Sequence, residues 1–280
     1  MEPAQLTDRA ILALAGQGTR DFLQGLVTND LGQLLPGKAL YTAMLTPQGK
    51  ILFDFLVVEG DGALLLDCPS DLREGLARKL RMYRLRARIE IEPRDQLGVF
   101  VALAGHPQGR PAPYAERAVT FEDPRHSGLP RRSIGALAEM PANLAGPAGY
   151  HALRRELGVP EGSDFGSEKV FALDAGLEEL KGVSFTKGCY IGQELTSRMK
   201  HRGTARKRIL TVRAEVPLPP PGTLLAAGGQ EIGELLSADG GNGFALVRLD
   251  RLADCSGPVT AGEISVALVK PAWLDHVHGA

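Results

Sequence analysis

Cysteine is scarce in this chain: Cys68, Cys189 and Cys255 are the only three in 280 residues, and no two are close. Such a count excludes a disulfide framework and a Cys-rich zinc module, and it suggests a reducing compartment. Net charge is nearly absent as well. The 32 Lys and Arg against 33 Asp and Glu leave a formal charge of -1, so no bulk attraction to nucleic acid or anionic lipid is expected. No apolar run approaches the roughly 20 residues a membrane span needs. The first residues carry Glu2 and Asp8 and no basic leader, which argues against secretion or import and for a cytoplasmic protein. Also missing are the dinucleotide glycine fingerprint, a phosphate loop, His-Glu-x-x-His and Gly-x-Ser-x-Gly. His276 and His278 stand alone in a tail, where solvation is the plain reading, so no metal site is expected. There is no internal repeat.

What is present is an ordinary globular composition, 44% apolar and 23% charged, with length for two or three domains. A strand is predicted over Ala10 to Ala15, followed by a Gly16-Gln17-Gly18 turn. A helix follows, with Thr19 as cap and Phe22, Leu23, Leu26 and Val27 on one face, ending at Asn29-Asp30. Strands over Tyr41 to Leu45, Lys50 to Val58 and Ala63 to Asp67 are separated by Pro47-Gln48-Gly49 and Gly60-Asp61-Gly62 turns. Ser70 is placed to cap a helix with Leu72, Leu76 and Leu80 in line. Strands near Ala87 to Glu92 and Leu97 to Ala104 complete a β-β-α-β-β order that reads as one compact α+β layer. His106 to Ala115 reads as a linker, and Asp123 to Gly149 as irregular. Helices are predicted at Tyr150 to Glu156 and from Gly192 to about Lys200. After a strand over Arg208 to Val216 and a break at Pro217 to Gly222, short strands and glycine turns form a small β-barrel or sandwich.

The chemistry concentrates in Lys187-Gly188-Cys189-Tyr190-Ile191-Gly192-Gln193-Glu194. Glycines permit unusual backbone and close approach of a ligand. A thiol near Lys187 and a helix start is expected to ionise more readily than a free cysteine, giving a nucleophile, soft-metal ligand or redox group. A small cysteine packed in a tight turn is the other reading.

That segment closely resembles the signature of the YgfZ family, folate-binding relatives of the glycine-cleavage T-protein. The resemblance extends through Phe22-Leu23-Gln24-Gly25-Leu26-Val27-Thr28-Asn29-Asp30, Leu45-Thr46-Pro47-Gln48-Gly49-Lys50-Ile51-Leu52-Phe53-Asp54, Tyr83 to Ile89, Gly158 to Gly162 and Ser197 to Arg208, in the expected order. It implies an α+β, GcvT-like protein, a three-domain cloverleaf around a central folate channel with a C-terminal β-barrel. The implied domains are residues 1–44 with 141–205, residues 45–140, and residues 206–280. It also implies tetrahydrofolate as cofactor and a role in assembly or repair of iron–sulfur clusters, with tRNA modification served through cluster enzymes. The expected partners are reduced folate and iron–sulfur assembly factors or client enzymes, without direct nucleic-acid binding and without a membrane. A folate-dependent aminomethyltransferase or other C1-transfer enzyme is the alternative, and an RNA or protein adaptor a third.

By the same resemblance, Cys189 and Lys187 are the catalytic candidates, and Asn29, Asp54, Glu156, Tyr190, Gln193, Glu194 and Arg198 the folate-binding ones. Each has a plainer reading. Asp54 can be a strand residue facing water, Asn29 and Asp30 can simply end a helix, and Glu156 can be a solvated helix residue. Gln193 and Glu194 can cap the next helix or meet ligand. The family often has a proline and a longer acidic or amide side chain where Ala172 and Asp174 stand here. Six cations, Arg198, Lys200, Arg202, Arg206, Lys207 and Arg208, form a local patch suited to a folate polyglutamate tail or RNA, or to solvent alone.

Overall fold

A computed structural model describes residues 3–103, 118–141, 144–203 and 206–275. The proposed linker from His106 to Ala115, and His276 and His278, lie outside the described residues. The chain divides into two compact units. The first comprises Met1–Met44, Phe53–Leu153 and Lys181–Ile191, the second Leu45–Leu52, Arg154–Leu180 and Gly192–Ala280.

The first unit is built on two sheets. Its elements are β1 (Pro3–Gln5), β2 (Arg9–Ala15), α1 (Thr19–Gln24), β3 (Ala39–Leu45), β4 (Ile51–Gly60), β5 (Ala63–Pro69), α2 (Arg73–Arg84), β6 (Glu90–Pro93), β7 (Leu97–Ala102), β8 (Val119–Phe121) and β9 (Arg132–Ala136). Helix α3 (Ala148–Glu156) contains the division between the units. The five-stranded sheet has the order β3-β4-β5-β2-β6 and the four-stranded sheet β1-β7-β9-β8. The apolar run of β2 has neighbours on both sides, and Ile11, Leu12, Ala13 and Leu14 are all buried, as a near-continuous hydrophobic strand requires. Leu76, Ala77 and Leu80 form the buried face of α2.

Several local expectations need correction. The last two strands of the expected β-β-α-β-β layer part company: β6 pairs with β2, whereas β7 pairs with β1 and β9 in the other sheet. The supposedly irregular stretch contains β9, which is held between β7 and β8. Thr19 is the first residue of α1 rather than its cap; its hydroxyl donates back to the Gly16 carbonyl at 2.7 Å. That turn needs its glycine, because a Cβ on Gly16, at φ 112°, would lie 2.4 Å from the Arg88 carbonyl oxygen. Helix α2 starts after Leu72, not at Ser70, and has no side-chain cap. The Ser70 amide instead donates to Asp8. Helix α1 ends at Gln24, well before Asn29.

The second unit contains α4 (Gly162–Phe165), α5 (Gln193–Arg202), β10 (Lys207–Arg213), β11 (Leu224–Ala227), β12 (Gln230–Asp239), β13 (Asn242–Arg248), α6 (Leu249–Asp254), β14 (Val259–Ala261) and β15 (Ile264–Val269). The six strands close into a barrel in the order β10-β13-β12-β11-β14-β15. Closure is made by β10 against β15, with Thr211 opposite Val269. Val212, Leu225, Ile232, Phe244 and Val247 fill its core. Of the barrel and the sandwich that the glycine turns leave open, the closed barrel is the one formed; β14, only three residues long, carries no periodic signal.

Candidate functional site

The segment from Lys181 to Ile191 is fastened to the first unit by side chains from the turn after α1. Thr28 donates its hydroxyl to the Gly182 carbonyl at 2.6 Å, and its own carbonyl accepts from the Ser184 amide. The Asn29 amide nitrogen donates to the carbonyls of Tyr41 and Lys181 at 2.7 and 2.8 Å, and its oxygen accepts from the Asp30 amide. All the polar atoms of the Asn29 side chain therefore serve the scaffold. Lys187 is buried, and its ammonium donates to the carbonyls of Gln24, Val27 and Asn29 at 2.6, 2.6 and 2.9 Å. Burial pushes its pKa down to about 8, with Asp30 pulling the other way. Three charge-assisted bonds also favour the charged form. The ammonium lies 5.1 Å from the centre of the Tyr190 ring, which is itself buried.

This anchoring has a consequence for the residues between. Lys187 and Tyr190 point inward, whereas Gly188 and Cys189 are exposed. The other thiols differ. Cys68 is buried, and burial pushes it up to about 12; Cys255 is half-buried, with Sγ 3.4 Å from the Gln230 side-chain oxygen. An exposed thiol on a loop anchored by its neighbours can attack an electrophile or ligate a soft metal.

Asp54, on β4, does not face water. It is 1% exposed and accepts from the Tyr41 hydroxyl at 3.0 Å. The Tyr41 ring packs against Arg125, whose guanidinium carbon is 5.4 Å from the ring centre. Arg125 belongs to a buried network that sequence reasoning missed. Asp67 on β5 accepts from Arg9 and from Arg132, each at 2.6 Å. Arg132 on β9 reaches Asp123 at 3.1 Å, and Arg125 grips the same carboxylate with two nitrogens at 2.8 and 2.6 Å. Both arginines donate to the Tyr150 hydroxyl. Burial opposes ionisation of Asp123, yet Arg125 and Arg132 hold it below the ordinary carboxylate value. The network ties the two sheets of the first unit together. Asp123 and Arg125 are near neighbours, but their link through Arg132 to Asp67 and Arg9 joins distant segments, so no spacing rule could reveal the network.

The remaining folate candidates belong to the second unit. Gly192 precedes α5 at φ 83°, and a Cβ there would lie 2.6 Å from the Thr46 carbonyl oxygen, so the motif's second glycine is sterically required. Neither Gln193 nor Glu194 caps the helix. Exposed Glu194 instead pairs with Arg198 at 2.6 Å across one turn. Glu156 is exposed at the end of α3. The buried charge in that segment is Arg154, which bonds Asp164 and the Val159 carbonyl. The six-cation patch is divided. Lys200 pairs with Glu178, and Arg208 lies 3.6 Å from Glu179. Arg206 and Lys207 instead line a cavity of about 360 Å³ together with Lys50, Lys169, Phe171, Asp174, Met199, Leu246 and Arg248. Burial pushes Asp174 up to about 6, against the pull of Arg208 and Lys207. Among the described residues, no three His, Cys, Asp or Glu side chains cluster as a metal site would require.

A two-sheet unit followed by a closed six-stranded barrel defines a class, the GcvT-like aminomethyltransferase fold. The structure superposes on the glycine cleavage system aminomethyltransferase T from Bartonella henselae with a TM-score of 0.72, covering 97% of this chain and 85% of that one at 13% identity. Residues 206–276 match the model of the CAF17 C-terminal beta-barrel domain. Sequence similarity is more particular. The chain is 34% identical over 304 residues to the iron–sulfur cluster assembly factor IBA57, mitochondrial, of Mus musculus, covering 96% of this chain and 84% of that protein. It is 33% identical over 308 residues to the Homo sapiens protein of the same name, covering 98% and 85%. The chain belongs to the IBA57 family of iron–sulfur cluster assembly factors.

Proposed function

We propose that this protein is a reduced-folate-binding accessory factor for assembly or repair of iron–sulfur clusters, with Cys189 as its chemical residue. Homologues named as iron–sulfur assembly factors support the general role. The observation that carries the particular one is the accessible Cys189 thiol, held between inward-pointing Lys187 and Tyr190. The finer assignment to the YgfZ branch, with its link to tRNA modification, rests on the Lys-Gly-Cys-Tyr-x-Gly-Gln-Glu segment. Partners would be assembly factors or cluster-dependent client enzymes. A cytoplasmic location belongs to the same proposal, and the relatives compared are mitochondrial by name.

Of the expected folate residues, Asp54 is the one that suits tetrahydrofolate in chemical type. A buried carboxylate such as Asp54, which accepts from the Tyr41 hydroxyl, is of the type that accepts from ring N–H groups. Tetrahydrofolate, when bound, supplies one-carbon chemistry. The test has two parts. Deleting the gene should lower cluster-dependent enzyme activities, with rescue by wild type and none by Cys189→Ala. Calorimetry should show tetrahydrofolate binding that Asp54→Ala weakens by roughly 10- to 150-fold. Full rescue by the alanine variant removes the thiol chemistry, and an unchanged affinity removes Asp54. Aminomethyl transfer is the second reading, favoured by the fold alone. Turnover in a glycine-cleavage assay with a lipoyl-protein partner would establish it.

A further inference from the structure

The cavity of the second unit is electrostatically one-sided. Five of its nine lining residues are basic, Lys50, Lys169, Arg206, Lys207 and Arg248, and one, Asp174, is acidic. Arg248 is paired with Asp250 at 2.7 Å, yet it also stands directly opposite Lys207 in the β10–β13 ladder. Like charges directly opposite across a ladder destabilise a sheet. Lys50 adds a further cation, its ammonium 5.9 Å from the centre of the Phe171 ring. Protein atoms at this wall supply too little negative charge for the positive charge that they gather.

We propose that this cavity binds a compact, multiply charged oxyanion of the phosphate type, with a diphosphate group as the class that fits best. The charge balance excludes a monocarboxylate as the natural occupant, since one negative charge would leave most of the cations unmatched. A diphosphate concentrates three to four charges within a few ångströms, about what the unpaired cations require. The donors match as well. Lysine ammonium groups act as point charges that approach separate tetrahedral oxygens, while Arg206 offers a planar fork to two of them. Half-buried Phe171, Met199 and Leu246 stand beside the cations in the lining. Asp174 is the opposing element: it limits how much negative charge the cavity tolerates and favours an anion that retains a proton or another donor toward it. Asp54 is not among the residues that line this cavity.

Isothermal titration of the full chain with inorganic pyrophosphate tests the proposal. Binding should be detectable and should weaken as salt is raised. Lys169→Gln and Lys207→Gln should each weaken it by about tenfold. Asp174→Asn should tighten it, an opposite sign that no loss of fold can imitate. Arg78→Gln, at an exposed position of α2, should leave it unchanged. Absence of binding at low salt overturns the proposal. So does a Lys169→Gln, Lys207→Gln pair with wild-type affinity. Citrate binding as tightly as pyrophosphate overturns the phosphate class.

Discussion

The molecule handles buried charge in two opposite ways. In the first unit, Arg9, Arg125 and Arg132 meet Asp67 and Asp123, and Tyr150 fills the space between guanidinium groups. Each carboxylate accepts from two arginine side chains, so three cations and two anions are joined in one hydrogen-bonded network. In the second unit, cations gather around one acid and face an open cavity. Closed, matched networks hold a fold in one arrangement, whereas unmatched ones wait for something else to complete them. The difference separates scaffold from candidate site without reference to any motif.

Removing Arg132 should give the largest effect. Arg132→Met leaves Asp67 and Asp123 short of a partner in a site that is 0% exposed. Breaking a buried pair in this way costs about 3–5 kcal/mol, and a urea melt should show it. A loss below about 1 kcal/mol would mean that Arg9 and Arg125 suffice, and the two kinds of charge cluster would differ less than the geometry indicates.

Lys187→Met comes next. It leaves the carbonyls of Gln24, Val27 and Asn29 without their shared donor. Unmade buried hydrogen bonds cost about 1–3 kcal/mol each when water cannot replace them, and methionine preserves the stem's packing. A destabilisation of about 3 kcal/mol is expected, with faster proteolysis between Lys181 and Ile191. Unchanged stability and cleavage would show that the ammonium is not what fastens the loop.

Asp174→Asn should act in the opposite direction. The folded pKa of about 6 lies above the ordinary carboxylate value of 3.8. The native state therefore holds a proton that the unfolded state has released between those pH values. Stability falls as pH rises through that window, and the full penalty is present above about pH 6. The variant should be more stable than wild type by on the order of 2 kcal/mol at neutral pH, with the gain vanishing below about pH 4. A pH-independent difference would assign the effect to packing instead.

How much of this was legible beforehand follows from range of interaction. The β4–β5 hairpin and α2 declare themselves through local periodicity and turn residues, because their stabilising contacts lie near in sequence, whereas glycine turns announce the strands of the second unit but not their closure, which pairs Thr211 with Val269. Sheet membership did not. Nothing in Glu90–Pro93 or Leu97–Ala102 says that one strand pairs with β2 and the next with β1 and β9. Capping failed at Thr19 and Ser70 because glycine geometry and backbone bonds won there. The motif around Cys189 was visible as residues, but its internal division was not. That Lys187 would turn inward depended on carbonyls more than 150 positions away in sequence, in the turn after α1. In the sequence Asp174 stands out only as a departure from a family pattern, and its cationic surroundings draw on Lys50, Lys169 and Arg248 from separate segments.

Cys189→Ala should have the smallest effect on stability, and it isolates chemistry from scaffold most cleanly. The thiol is exposed, and the loop's anchors are its neighbours. An exposed substitution of this kind changes stability by no more than about 0.5 kcal/mol, so any lost activity in cells belongs to the sulfur. Alkylation at neutral pH should modify Cys189 first, then Cys255. Cys68 should react last, since its burial and a pKa of about 12 leave almost no accessible thiolate. The Lys187→Met variant sharpens the same test. If Lys187 only anchors the loop, its loss should disturb proteolysis more than the labelling rate of Cys189. If it also sets the thiol's reactivity, labelling should slow several-fold while Cys255 is unaffected. Peptide mapping of a competitive labelling mixture reads both outcomes at once, and equal rates for all three cysteines would leave Cys189 with no chemical distinction to carry.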